Sequence, residues 1–169
     1  MDNIIVVAKK AIKNQSQLPF SVYSSHKEQM ITNVPIIKPL LIFILSGTKQ
    51  LGKSGSVECL SGSFVFLSNS PRIDMRNIPI QAEYFAVLID FEHEDFSELP
   101  KSPAPYKKYF QGDINPVLAS ALCQFMEFSS IAPAQVMRLR KREILEIIYH
   151  SGYKDVCNIV EPPSLSEKV

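Results

Sequence analysis

Residues Gly47-Thr48-Lys49-Gln50-Leu51-Gly52-Lys53-Ser54 match the phosphate-loop pattern G-x-x-x-x-G-K-[ST], and an apolar run, Leu40 to Leu45, precedes them. In a working loop of this kind, backbone N–H groups wrap the phosphates and a lysine reaches them. The helix that follows aims its positive end at the anion. Such a loop would make the chain a nucleotide-binding enzyme acting through Gly47 to Ser54. Phe85-Ala86-Val87-Leu88-Ile89-Asp90, an apolar run ending in an acid, would then serve as the magnesium-side strand.

The residues that follow argue against it. A helix would have to start at Lys53, yet the next stretch is Gly55-Ser56-Val57-Glu58-Cys59-Leu60-Ser61-Gly62-Ser63. Each Gly there costs about 1 kcal/mol relative to Ala in a helix, and no 3.6-residue apolar stripe runs through it. Phe64 to Leu67 then reads as a strand, only about ten residues on, too close for a parallel crossover. The same residues make good turn chemistry. The octet is therefore expected to be an exposed hairpin, with Ser56 to Leu60 returning antiparallel to the strand that precedes it.

Other chemistry is thinly represented. His26, His93 and His150 lie far apart, with no H-x-H for a metal-binding barrel. Cys59, Cys123 and Cys157 form no C-x-x-C and are odd in number, so they read as core thiols in a reducing cytoplasm. There is no G-x-S-x-G. The acidic stretch Asp90, Glu92, Glu94, Asp95 and Glu98 lacks the spacing and central Gly of a calcium loop and reads as a solvated loop. The basic stretch Arg138-Leu139-Arg140-Lys141-Arg142 reads as a solvated helix face, with Glu143 and Glu146 available as helical partners. No catalytic group, metal or cofactor is expected.

The elements that would position any site fall in three zones. Residues 3–14 carry apolar positions 4, 5, 8, 11 and 12 on one helical face, and Asn14 to Gln17 ends that helix. From 20 to 91 the pattern is β: Phe20 to Ser24, Leu40 to Leu45, Ser56 to Leu60, Ser63 to Leu67, Arg72 to Ile78 and Glu83 to Phe91. Pro35 and Pro39 bracket a linker, and Asn69-Ser70-Pro71 is a loop. Short strands at about ten-residue spacing imply a sandwich or barrel. Pro100, Pro103 and Pro105 then mark an irregular connection. Asn115-Pro116 starts a helix by capping, Pro133 opens a second over 134–151 that stops at Gly152, and a short helix follows within 153–160. The fold class is mainly β with α: a small cupin-like barrel or sandwich followed by two or three helices.

The mouth of such a barrel can hold one small ligand. Strand alternation points Ile42, Ile44, Phe64, Phe66, Met75, Tyr84 and Ala86 inward as its lining. With 169 residues, 46% hydrophobic content and a net charge of +1, the chain supports one core and presents no general field for DNA or an anionic membrane. The Leu40 to Leu45 run is too short to span a bilayer, and no secretory signal precedes it.

Taken in order, four stretches resemble the N-terminal domain of AraC/XylS-type transcription regulators. Pro39 to Lys49 is similar to that family's P-x-L-x-x-x-x-x-G-x-K strand and turn, and Leu60 to Ser68 to its x-x-G-x-x-x-x-L-S step. The strand ending Leu88-Ile89-Asp90-Phe91 and the helix Leu139 to Tyr149, similar to an R-x-E-I-L segment, complete the set. The resemblance covers about residues 18 to 160. It implies a cupin-like effector and dimerisation domain spanning residues 1–160, with a barrel over about 18–92 and helices over about 114–160. Residues 161–169 would be a linker and the start of a DNA-binding domain that this chain lacks.

Implied partners are a second copy of the chain and a small-molecule effector or regulatory protein, with DNA reached only through the missing helix-turn-helix units. In that family the helices after the barrel usually pair the chains. The resemblance therefore nominates Leu118, Leu122, Phe125, Leu139, Ile147 and Ile148 as the dimer contacts.

Overall fold

Leu40 to Leu45 forms the middle of the molecule because it is apolar on both faces, and both faces are covered. In the computed structural model, which describes residues 1–13, 17–69 and 72–160, this run is β3 (Leu40–Ser46). The other strands are β1 (Ser21–Ser25), β2 (Gln29–Val34), β4 (Thr48–Leu51), β5 (Val57–Leu60), β6 (Ser63–Leu67), β7 (Ile73–Ile78), β8 (Tyr84–Asp90) and β9 (Tyr109–Asp113). They form two antiparallel sheets, one ordered β1-β8-β3-β6-β9 and the other β2-β7-β4-β5. The helices are α1 (Asp2–Lys13), α2 (Pro116–Phe128) and α3 (Ala134–His150).

Alternation along the strands builds two cores. Leu41, Phe43, Leu45, Phe85, Val87 and Ile89 face the three helices. Ile42, Ile44, Val65, Leu67, Tyr84 and Ala86 face the second sheet, meeting Leu51, Cys59 and Met75. The five-stranded sheet is thus the central layer, and each large apolar side chain buried on either face contributes about 1.5–3 kcal/mol.

The capping expected at Asn115 is present: its Oδ1 accepts from Leu118 N at 2.8 Å, and Pro116 occupies the first helical position. α3 stops where Gly152 adopts φ +103. Short 3-10 helices occupy His93–Phe96 and Lys154–Asn158. The loop expected at Asn69-Ser70-Pro71, the end of the first helix at Asn14 to Gln17, and the 161–169 linker lie wholly or partly outside the described residues.

Three expectations need correction. The partner of Leu40 to Leu45 is not Ser56 to Leu60: β3 pairs β6 and β8, whereas β5 pairs β4. The chain turns a corner at Gly47, φ +84, leaves one sheet for the other, runs as β4, and only then reverses across Gly52 to Gly55. A second correction is β2, unforeseen because its exposed side chains show no alternation. The third is β9, which pairs β6 and carries the central sheet beyond residue 92. Gly112 breaks the β9 pattern, because Tyr153 and Phe64 pack over it with no room for a side chain.

Candidate functional site

On the inner face of the four-stranded sheet, a row of polar side chains crosses three strands. Lys49 on β4 lies opposite Cys59 on β5 and Asn77 on β7. All three are buried, with Lys49 only 4% exposed. Lys49 Nζ donates to Asn77 Oδ1 at 2.8 Å and stands 5.7 Å from the centroid of the Tyr84 ring, which reaches across from β8. The Tyr84 hydroxyl is buried with no hydrogen-bond partner, and its ring meets Tyr23 edge-on at 6.1 Å. A buried hydroxyl left unpaired costs about 1–3 kcal/mol, which a ligand or water accepting from it would recover.

The electrostatics follow from this placement. Burial lowers the Lys49 amine from 10.5 to about 8, and Cys59 opposes that shift. Burial raises the Cys59 thiol to about 11, with Lys49 pulling it back. Tyr84 is pushed up as well, first by burial, so its hydroxyl keeps its proton. An amine that is partly neutral near pH 7, a protonated phenol and a thiol therefore share one dry space. That arrangement can bind an acceptor or supply a nucleophilic nitrogen.

Two cavities lie at the margins of the sandwich. One, of about 220 Å³, is lined by Ile36, Leu67 and Ile73 of the inter-sheet core and rimmed by Arg72 and Lys108. The other, of about 540 Å³, runs along Leu45, Ser46, Gly47, Ile80, Gln81 and Glu83 beside α1. Gly47 on its wall packs closely against Tyr84: a Cβ there would lie 3.0 Å from Tyr84 Cδ2. The turn along this second cavity holds Gln81 and Ala82 at φ 53° and 86°.

The residues nominated as pocket lining divide. Ile42, Ile44, Met75, Tyr84 and Ala86 share the inter-sheet core. Phe64 and Phe66 face the helices instead, where Phe64 meets Phe110 at 5.9 Å and Tyr153 at 5.3 Å, and Phe66 stacks on Phe110 at 5.8 Å. The inward positions of β6 are Val65 and Leu67, because a strand apolar on both faces gives no parity signal. Sequence reasoning missed Lys49 and Asn77. Their signal was parity: Lys49 shares a face with Leu51, and Asn77 with Ile73 and Met75.

The dimer positions divide too. Leu118, Leu122, Phe125 and Ile148 are buried inside this chain's own core, where helix stripes cover the central sheet. Ile147 is half-buried against that core, and Leu139 is 62% exposed. Lys53 and Ser54 are exposed in the β4–β5 turn and open no helix, which removes the phosphate-loop reading. The acidic and basic stretches expected to be solvated face one another: Arg138 meets Glu94 at 3.6 Å and Lys141 meets Asp90 at 3.6 Å. No helix among the described residues is long and apolar enough to cross a membrane.

No family model and no curated protein sequence matches the chain. Solved structures do. ToxT from Vibrio cholerae, solved with an unsaturated fatty acid bound, superposes with a TM-score of 0.63 at 12% identity, over 92% of this chain and 62% of ToxT. A second ToxT structure gives 0.62 at 16% identity, over 86% and 60%. The AraC-like transcriptional activator CuxR gives 0.57 at 15% identity, over 87% and 55%. The chain thus spans about three fifths of the length of ToxT. At these identities the likeness is one of fold. The chain shares the fold of these structures over the matched residues.

Proposed function

We propose that the chain is the effector-sensing and dimerisation domain of an AraC-type regulator, with DNA contact made by helix-turn-helix units outside these residues. The observation that carries this reading is the polar row inside the sandwich: among the described residues, a buried lysine with no carboxylate facing it, beside a phenol with no hydrogen-bond partner. Such groups are costly in a purely structural core and useful in a recognition site. The cationic rim of Arg72 and Lys108 favours small acidic molecules at one mouth of the same interior.

Sensing would work by linkage. An effector that fits one arrangement of sandwich and helices better than another shifts the population of the DNA-competent form. β8 joins the two sides, since it carries Tyr84 into the interior and ends at Asp90 beneath α3. A regulatory protein docking on the helices would act on the same equilibrium. The outer face of α3, with Leu139 exposed, is the surface offered to a second copy.

The test is a melting-temperature screen of the native chain and Lys49→Met against small carboxylic acids, aldehydes and ketones. Compounds that raise the midpoint of the native chain, and not that of the variant, support the reading. A full panel with no Lys49-dependent shift overturns it, and so does stabilisation by nucleoside triphosphates alone.

A further inference from the structure

Lys49 has the surroundings of an amine that reacts, since only a neutral amide oxygen and the face of the Tyr84 ring are there to support its charge. One donor goes to a neutral acceptor, Asn77 Oδ1 at 2.8 Å. The facing groups from the other elements are Cys59 on β5 and Tyr84 on β8; no carboxylate among the described residues opposes it. A structural lysine is normally paired or reaches water. This one is only 4% exposed. The independent sign of a missing ligand is Tyr84, whose buried hydroxyl has no partner.

We infer that Lys49 is a covalent recognition site for small aldehydes or ketones, forming an imine with the carbonyl carbon while Tyr84 hydrogen-bonds the reacting oxygen. This deepens the sensing proposal and rests on it for its regulatory meaning. The nitrogen lone pair attacks the carbonyl carbon, and a C–N bond forms as the C=O π bond breaks. The oxygen takes a proton, giving a carbinolamine. That oxygen then leaves as water, and the two hydrogens of the water come in net from the amine nitrogen. No electron is gained or lost, so no oxidant or reductant is required. A lysine desolvated among apolar side chains is suited to this chemistry. The corner at Gly47, whose Cβ position lies 3.0 Å from Tyr84 Cδ2, borders a cavity of about 540 Å³ beside α1.

The test treats the whole chain at pH 7.0 with limiting propionaldehyde and sodium cyanoborohydride, which turns an imine into a stable secondary amine, and maps the product by peptide mass. The expected result is labelling of Lys49 about ten-fold faster than exposed Lys53, because burial favours the neutral, nucleophilic form of the Lys49 amine. Labelling of Lys49 should be slower in Tyr84→Phe, and its lead over Lys53 should disappear on unfolding in urea. This comparison lies within one native protein, so it needs no variant to fold. Lys49 labelled no faster than Lys53 would overturn the inference. Lys49-dependent stabilisation by propionaldehyde without labelling would also overturn it, and would leave the sensing proposal standing. Labelling that changes neither melting temperature nor oligomeric state would keep the imine site and remove the sensing role.

Discussion

Lys141 on α3 donates a 2.8 Å hydrogen bond to the main-chain oxygen of Asp90, the last residue of β8, and its ammonium lies 3.6 Å from the same residue's carboxylate. The amine also sits 5.8 Å from the centroid of the Phe91 ring. One side chain thus fastens the third helix to the strand that carries Tyr84 inward. Lys141→Met keeps the apolar stem and removes the donor. It should cost about 1.5–3 kcal/mol in urea denaturation, with the same steepness of transition. An unchanged midpoint would mean the contact does not hold α3 in place.

Lys49 should leave a pH signature in stability. Its amine titrates at about 8 when folded and at 10.5 when free. Below pH 8 both states carry the proton, and the folded state bears the full cost of the buried charge. Between 8 and 10.5 the unfolded chain binds more protons than the folded one, so stability rises with pH. The gain over that window is about 3 kcal/mol. Relative to Lys49→Met, the native chain should therefore grow more stable from pH 7.5 to 10, measured by urea denaturation. A flat difference would refute the burial of an unpaired amine.

Gly47 is the corner at which the chain leaves one sheet for the other. At φ +84, a Cβ would come within 2.6 Å of Ile78 O and 3.0 Å of Tyr84 Cδ2. Gly62, at φ +90, has nothing within 4 Å of its Cβ position. Gly62→Ala should then cost only the left-handed backbone, about 1 kcal/mol, and Gly47→Ala at least about 2 kcal/mol. Equal losses would show that the corner is not tightly packed.

Much of this was legible in the residues, and the failures have physical causes. Asn115-Pro116 and Gly152 announced α2 and the end of α3, because caps depend on local chemistry. Turn glycines exposed the false phosphate loop for the same reason. Parity on β6 was unreadable, because both of its faces are buried and every position is apolar. β9 was hidden in a proline-marked connection, since its pairing with β6 is long-range. The basic and acidic stretches each looked solvated when read alone; their contact needs α3 to lie against the end of β8, which no local pattern records. Lys49 was overlooked because the octet that contains it reads as an exposed hairpin turn, whereas Lys49 lies buried in β4.

Dimerisation by the outer face of α3 has a direct check. Leu139 is 62% exposed, so Leu139→Glu should alter stability by no more than about 0.5 kcal/mol. Sedimentation should give twice the 19.0 kDa chain mass for the native protein and the single mass for the variant. A variant that stays dimeric would move the interface elsewhere.

The most direct measurement is the titration of the Lys49 amine itself, followed by the NMR shift of its ε-carbon from pH 6 to 11 in a chain labelled at lysine. A midpoint near 8 is expected, moving or vanishing when a small carbonyl compound occupies the interior. A midpoint near 10.5 would contradict the proposal, because an amine in contact with water or a counter-charge leaves the sandwich without its recognition group.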